Sequence, residues 1–205
     1  MLHQLFNIPR DQHFYIACSG GSDSMAITDF YRRGGKKFTL AYFNHSTPQA
    51  DAMEAFVSAY AQQHKLPLKI GCLRLTKDRT SSPEEFLRNC RYSWFSELTG
   101  VSKDPIVTCH HLNDVAETWL FSSLHGNPKV IKPKRDNIYR PFLLNTKKSL
   151  LDWCIRHNVS WFEDQSNTDV SIPRNRIRHN ILPEALLINP GLFKVLKKKI
   201  TQINS

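Results

Sequence analysis

The chain of 205 residues has five cysteines, Cys18, Cys72, Cys90, Cys109 and Cys154, but no two stand close enough to form a CxxC pair. That spacing argues against a zinc knuckle or an iron–sulfur site. The odd number fits free thiols in a reducing compartment. Cys18, Cys72 and Cys109 lie inside apolar runs, where cysteine acts as a small hydrophobe. No apolar stretch approaches the roughly 20 residues that span a bilayer. The N-terminal "MLHQLFNIPRDQ" lacks a basic segment followed by an apolar core, so no signal peptide is expected. These absences point to a cytoplasmic protein without a membrane partner. Internal repeats are also missing. Acidic residues are scarce: 18 Asp and Glu face 28 Lys and Arg, a formal net charge of +10. Such a balance points to a polyanionic partner. The hydrophobic share of 40% is enough for a core, and the length suits one domain.

Four short apolar runs recur: "HFYIACS" (13–19), "FTLAYFNH" (38–45), "LPLKIGCLRL" (66–75) and "DPIVTCHH" (104–111). They are rich in β-branched and aromatic residues and have the length of buried strands. Between them lie stretches with helical character. In one, Met53, Phe56, Val57 and Tyr60 recur at helical spacing, which marks a core face. Strand and helix in alternation predict an α/β fold, an open parallel sheet with helices on both faces. Residues 127–146 break the pattern and are expected as a surface loop. A helix is expected after Thr146, a plausible N-cap. The basic end of the chain, 191–205, is expected as a short tail, a last helix that frays, after a domain of residues 1–190.

The string Ser19-Gly20-Gly21-Ser22-Asp23-Ser24 follows the first strand and opens the first helix. Glycines let the backbone turn sharply there. Amides of the turn and of the helix N-terminus can then hold an anion. No lysine ends the loop, so it is not the GxxxxGK[ST] type. Asp23 is odd beside phosphates unless Mg²⁺ bridges it to them. "CHHLNDVAET" (109–118) closes the fourth strand. A helix starting near His110 would put His110, Asp114 and Glu117 on one face, able to hold Mg²⁺, move a proton or bind an amine. The competing reading is a capped helix with Asn113 or Asp114 in its first turn. "EEFLRNCRY" (84–92) spaces Glu85, Arg88, Arg91 and Tyr92 on a helix, otherwise readable as a solvated charged face. "SIPRNRIRHNILP" (171–183) clusters Arg174, Arg176, Arg178 and His179 around Asn175, which suits phosphates.

The SGGSDS loop resembles the pyrophosphate loop of the N-type ATP pyrophosphatases. Together with FNH (43–45), EEFLRNCRY, HHLNDVAET, RPFL (140–143), WFEDQSN (161–167) and IPRNRIRHNILP (172–183), the chain resembles the tRNA(Ile)-lysidine synthetases over about residues 13–190. The resemblance implies a Rossmann-like sheet of the adenine nucleotide alpha hydrolase-like type. It implies ATP and Mg²⁺ as cofactors, with free lysine and an isoleucine tRNA of CAU anticodon as partners. In that reaction the wobble cytidine is adenylated at its carbonyl oxygen, and lysine then replaces AMP at carbon 2.

Carried over, Ser19, Gly20, Gly21, Ser22, Asp23 and Ser24 would bind ATP, with Asn44 and His45 at the nucleotide edge. Arg88 and Arg91 would contact phosphate or the adenylated base. His110, His111, Asn113, Asp114 and Glu117 would serve metal binding, proton transfer and lysine recognition, Glu117 meeting the lysine ammonium. Asp23 and Asp114 would hold Mg²⁺. Arg174, Asn175, Arg176, Arg178 and His179 would face tRNA. The chain departs from the family in "NHSTPQAD", which has no Arg after the His. It departs again in "HGNPKVIKPKRD" (125–136), which gains lysines. It reads as a short form without the C-terminal domains many relatives carry. A tRNA thiolase of the same superfamily would need cysteine pairs. A binding module without chemistry would have no use for Asp23, His110, Asp114 and Glu117 together.

Overall fold

The computed structural model describes residues 2–73, 83–163 and 168–204. The four apolar runs form strands β1 (Phe14–Ala17), β2 (Phe38–Asn44), β3 (Leu68–Cys72) and β4 (Ile106–Thr108). All four pair in parallel, Ile16 lying opposite Leu40 on one side and Val107 on the other. The sheet order is β3-β2-β1-β4-β6-β5. Two strands were not expected. β5 (Lys134–Arg135) and β6 (Ile138–Tyr139) form a small hairpin inside the segment read as loop. Its turn places Asp136 at φ 55°, a conformation that short polar residues tolerate. β6 extends the parallel sheet by pairing Ile138 with Ile106.

Alternation along β1 shows why both faces are covered. Phe14 and Ile16 point into a core built with Met25, Ile27 and Tyr31 of α1 (Ser22–Arg33), Val57 of α2 (Ala50–Gln63) and Leu150 of α5 (Lys147–His157). Tyr15 and Ala17 point the other way, toward Phe95 of α3 (Pro83–Thr99), Ile106 and Ile138. On that face Trp94 lies on Gly71 so closely that a Cβ there would sit 2.3 Å from the indole. Side chains alternate across a strand, so one apolar run feeds two cores.

A third cluster forms around α4 (Leu112–Leu124). Its Leu112, Val115 and Ala116 pack against Leu182 of α7 (Leu182–Ile188) and Leu192, Leu196 and Ile200 of α8 (Leu192–Asn204). The basic end forms that last helix: α8 buries an i, i+4, i+8 stripe and exposes Lys194, Lys197, Lys198 and Lys199. α6 (Pro173–Arg176) passes through a π-helical turn (Ile177–Ile181) into α7. Among the described residues no helix is long and apolar enough to cross a membrane.

Candidate active site

The chain leaves β1 toward β2 and β3 on one side and later returns to β4 on the other. The β1–β4 boundary is thus the switch point of the sheet, where the loops after neighbouring strands part and open a crevice. SGGSDS follows β1 and HHLND follows β4, so topology alone brings the two strings together.

Gly20 sits at φ 86°, and a Cβ there would meet Val57 Cγ2 at 3.2 Å. Ser24 is turned inward: its hydroxyl accepts from Gly20 N at 3.1 Å and donates to Gly21 O at 2.9 Å. The hydroxyl thus closes the turn. Ser19 is exposed, and Ser22 is buried at the start of α1. The first-turn amides of α1 have no acceptor within the helix and remain available to an anion. The segment after α5 braces the loop, Phe162 N donating to Gly20 O at 2.9 Å.

Asp23 is the meeting point. Lys147 Nζ lies 2.9 and 2.8 Å from its two carboxylate oxygens and donates to Ser22 Oγ at 2.9 Å. His111 Nε2 stands 3.5 Å from Asp23 Oδ2, and His111 Nδ1 stands 3.4 Å from Asp114 Oδ2. Burial works to raise the Asp23 pKa, but His111 and Lys147 outweigh it and hold the carboxyl below its usual range. For His111 burial works downward, yet Asp114 and Asp23 prevail and its pKa is raised. The two partners' shifts agree, as expected of one coupled pair.

Lys147 was not singled out from the sequence. Asn113 Oδ1 accepts from Lys147 N at 2.9 Å, so the HHLND motif fixes the start of α5. A signal was present. Lysine in the first turn opposes the helix dipole, and Lys147 and Lys148 both stand there. Such a placement calls for a neighbouring anion.

α4 begins at Leu112, later than expected. His111 is its N-cap, in a capping box with Asp114: His111 N donates to Asp114 Oδ2 at 2.8 Å. The capped-helix reading therefore holds, with Asp114 in the first turn. His110 precedes the helix and does not share the face of Asp114 and Glu117. Its Nδ1 contacts Thr108 Oγ1 at 2.9 Å. Burial, with Arg140, Arg91 and Arg88 acting against Asp114, pushes the His110 pKa down to about 3. His45 falls to about 4 through burial and Arg91. Its Nδ1 is buried without a hydrogen-bond partner among the described residues. Both imidazoles are neutral at physiological pH.

Arg88 and Arg91 gather around Tyr92, their guanidinium carbons 4.7 and 5.9 Å from the ring centroid. Buried Arg140 reaches the Tyr92 hydroxyl at 3.3 Å. Three arginines converge on one phenol, with His45 and His110 beside them, and form a cationic wall whose Arg88 end is open to solvent. Asn44 is tied to α2, donating to Asp51 at 3.0 Å and Glu54 at 2.8 Å.

Three of the expected site residues are engaged within the protein. Glu117 is 1% exposed, and both its oxygens accept from Arg178 at 2.8 and 3.0 Å. Arg178 keeps a third of its side chain exposed beside that pair. Asn175 is buried and donates to Asp169 O at 3.0 Å, which braces the turn into α6. Arg176 and His179 are exposed and Arg174 half-buried, so these three keep an outward disposition. Asp164 to Asn167 of the WFEDQSN string lie outside the described residues.

The sequence profile described as the PP-loop domain matches residues 1–185, and the chain belongs to that family. Among curated proteins it is similar to the tRNA(Ile)-lysidine synthase of Staphylococcus aureus, 34% identical over 189 residues covering 84% of this chain and 44% of that protein. The tRNA(Ile)-lysidine synthase of Haemophilus ducreyi is 30% identical over 186 residues, covering 86% of this chain and 43% of that protein. The chain thus spans somewhat under half the length of these relatives. Among solved structures, the NH3-dependent NAD synthetase from Campylobacter jejuni superposes with a TM-score of 0.55 at 13% identity, over 97% of this chain and 87% of that one. That likeness is one of fold. The family resemblance read from the motifs and the Rossmann-like sheet both agree with these findings.

Proposed function

We propose that the protein is an ATP-dependent ligase that adenylates the wobble cytidine of an isoleucine tRNA with a CAU anticodon and joins lysine to carbon 2, releasing AMP and pyrophosphate. The observation that carries the reading is the junction of the SGGSDS loop, the His111–Asp114 cap and Lys147 at the switch point. The names of the similar curated proteins support the substrate.

In this reading the amides of Gly21 to Asp23 bind the pyrophosphate part of ATP, and Lys147 neutralises its charge. Lys147 fills the role that a lysine at the loop's end plays elsewhere, but from 124 residues away. Mg²⁺ would find few protein donors here. Among the described residues no three His, Cys, Asp or Glu side chains are grouped for a metal. Asp23 and Asp114, flanking the two nitrogens of His111, are the one or two carboxylates that suit Mg²⁺ arriving with polyphosphate. When bound it would spread the negative charge of the phosphates. The wall of Arg88, Arg91 and Arg140 faces anionic groups with fixed donors, which need no reorganisation as charge develops. Neutral His110 and His45 beside it can form hydrogen bonds without adding charge. Glu117 and Arg178 brace α4 against the PRNRIRH segment, so Asp114 keeps its orientation. Exposed Arg176 and His179, with half-buried Arg174, would meet the tRNA, in the cytoplasm where that tRNA occurs.

The test is incorporation of radiolabelled lysine into unmodified isoleucine tRNA with Mg²⁺ and ATP. Incorporation that requires ATP and is abolished by Asp23→Ala is the expected result. AMP and pyrophosphate without labelled tRNA would keep the adenylation and discard lysine as nucleophile. Absence of both products would sink the proposal.

A further inference from the structure

The far end of α4 carries an aromatic surface that the site does not use. Phe121 and His125 are stacked, ring centroids 4.4 Å apart at 29°. Phe121 keeps 39% of its surface exposed and Leu124 keeps 69%. His125 is exposed, and its Nδ1–H donates to Phe121 O at 2.7 Å, which holds the ring over its neighbour. The chain then folds back onto the helix: Lys129 N donates to Ser122 Oγ at 2.8 Å. The Lys132 carbonyl is held by Arg140 at 3.0 Å. Lys129 and Lys132 follow the rings in the chain and are exposed. Residues 118–135 contain no Asp or Glu.

Stacked rings in water, followed by exposed lysines in a stretch without acids, suit unpaired nucleobases joined by phosphates. Position strengthens the match. Asp114, Phe121 and His125 are separated by seven and then four residues, which keeps them within about 40° of one another around the helix. At the helical rise, Phe121 and His125 stand about 10 and 16 Å along the axis from Asp114. One face of α4 therefore runs from the candidate active site to the stacked rings.

We propose that Phe121 and His125, with Lys129 and Lys132, form a stacking platform for an unpaired RNA nucleotide flanking the one presented to the site. The inference rests on the RNA substrate proposed above and adds where its single strand lies.

The probe is a fluorescein-labelled RNA hairpin whose loop carries CAU, with a blunt duplex of the same stem as control. His125→Ala and Phe121→Ala should each weaken hairpin binding about tenfold and leave the duplex unchanged. Lys129→Ala should lower the salt slope of binding by about one. His125 is exposed, so its variant reports on binding without endangering the fold. Hairpin affinity within about twofold of wild type in both aromatic variants would overturn the platform, as would an equal loss on the duplex. The two readings fail differently. A wild-type protein that modifies tRNA while the aromatic variants bind normally would refute the platform alone. A wild-type protein that modifies nothing, yet binds the hairpin through Phe121 and His125, would refute the reaction alone. A wild-type protein that binds no RNA would refute both.

Discussion

Lys147 shows how much a single side chain can decide. Its ammonium is held by three oxygens, two of Asp23 and one of Ser22, and its side chain is 45% exposed. An ion pair so exposed contributes little to stability. Its worth lies in the positive charge it places where a polyphosphate would bind. Lys147→Ala should therefore lower kcat/KM for ATP by about 10²-fold, the scale of removing one fixed donor from a developing anion. Lys147→Arg should recover part of the loss. Pyrophosphate release at saturating tRNA measures it, with thermal unfolding as the check on folding. A fall of less than about threefold in the alanine variant would reduce Lys147 to a prop for the empty loop. Asp23, His111 and Asp114 were legible from the sequence because their meaning is local, in a turn after a strand and a cap before a helix. Lys147 meets them only through the fold, so spacing could not reveal it. The pairing of Glu117 with Arg178 was equally out of reach, because the two stand 61 residues apart and meet only through the fold.

At the scale of elements, runs of β-branched and aromatic residues marked β1, β2 and β4 because each is covered on both faces, whereas β3, read as a buried strand, is an edge strand with Lys69, Ile70 and Cys72 exposed. β5 and β6 escaped notice because two-residue strands carry no periodicity, and Lys134 and Arg135 read as loop. The stripe Leu192, Leu196 and Ile200 is the buried face of α8, set among its exposed lysines. The π-helical turn Ile177–Ile181 was beyond sequence reasoning, since only the hydrogen-bond pattern defines it. This turn carries Arg178, which enters α4 to bind Glu117 and approaches Asp114 at 3.9 Å. Glu117→Gln keeps the shape and removes the charge, leaving Arg178 without its bidentate partner. A fully buried pair broken this way costs about 3–5 kcal/mol. Arg178 is 34% exposed, so water offsets part of that, and about 2 kcal/mol is expected in urea unfolding. Glu117→Gln with Arg178→Met should recover much of the loss, because no charge is then stranded. A double variant as unstable as the two single losses combined would show that the pair acts independently of its charge.

For the whole molecule, the two loops of the candidate site are fixed by different cores. The SGGSDS loop rests on α1 and the β1–β2 core, whereas the HHLND cap rests on α4, whose buried side is closed by α7 and α8. The end of the chain is thereby tied to the chemistry. Removing Leu192–Asn204 would expose Leu112, Val115 and Ala116 and take away Leu192, Leu196 and Ile200, each at most 5% exposed. Burying one such side chain contributes about 1.5–3 kcal/mol. Three of them rival the about 5–15 kcal/mol by which a whole domain is stable. The truncated chain should thus lose its cooperative melt or melt far below wild type, with lysine transfer lost as α4 loosens. Lys197→Glu, Lys198→Glu and Lys199→Glu together leave the buried stripe untouched, so that variant should keep the wild-type melt and only weaken RNA binding. The comparison separates packing from charge within one helix. If the truncated chain melts within a few degrees of wild type and still transfers lysine, α8 is an appendage and the third cluster is not what orients His111 and Asp114. If instead the charge variant loses the melt, the lysines of α8 serve the fold and not a polyanion.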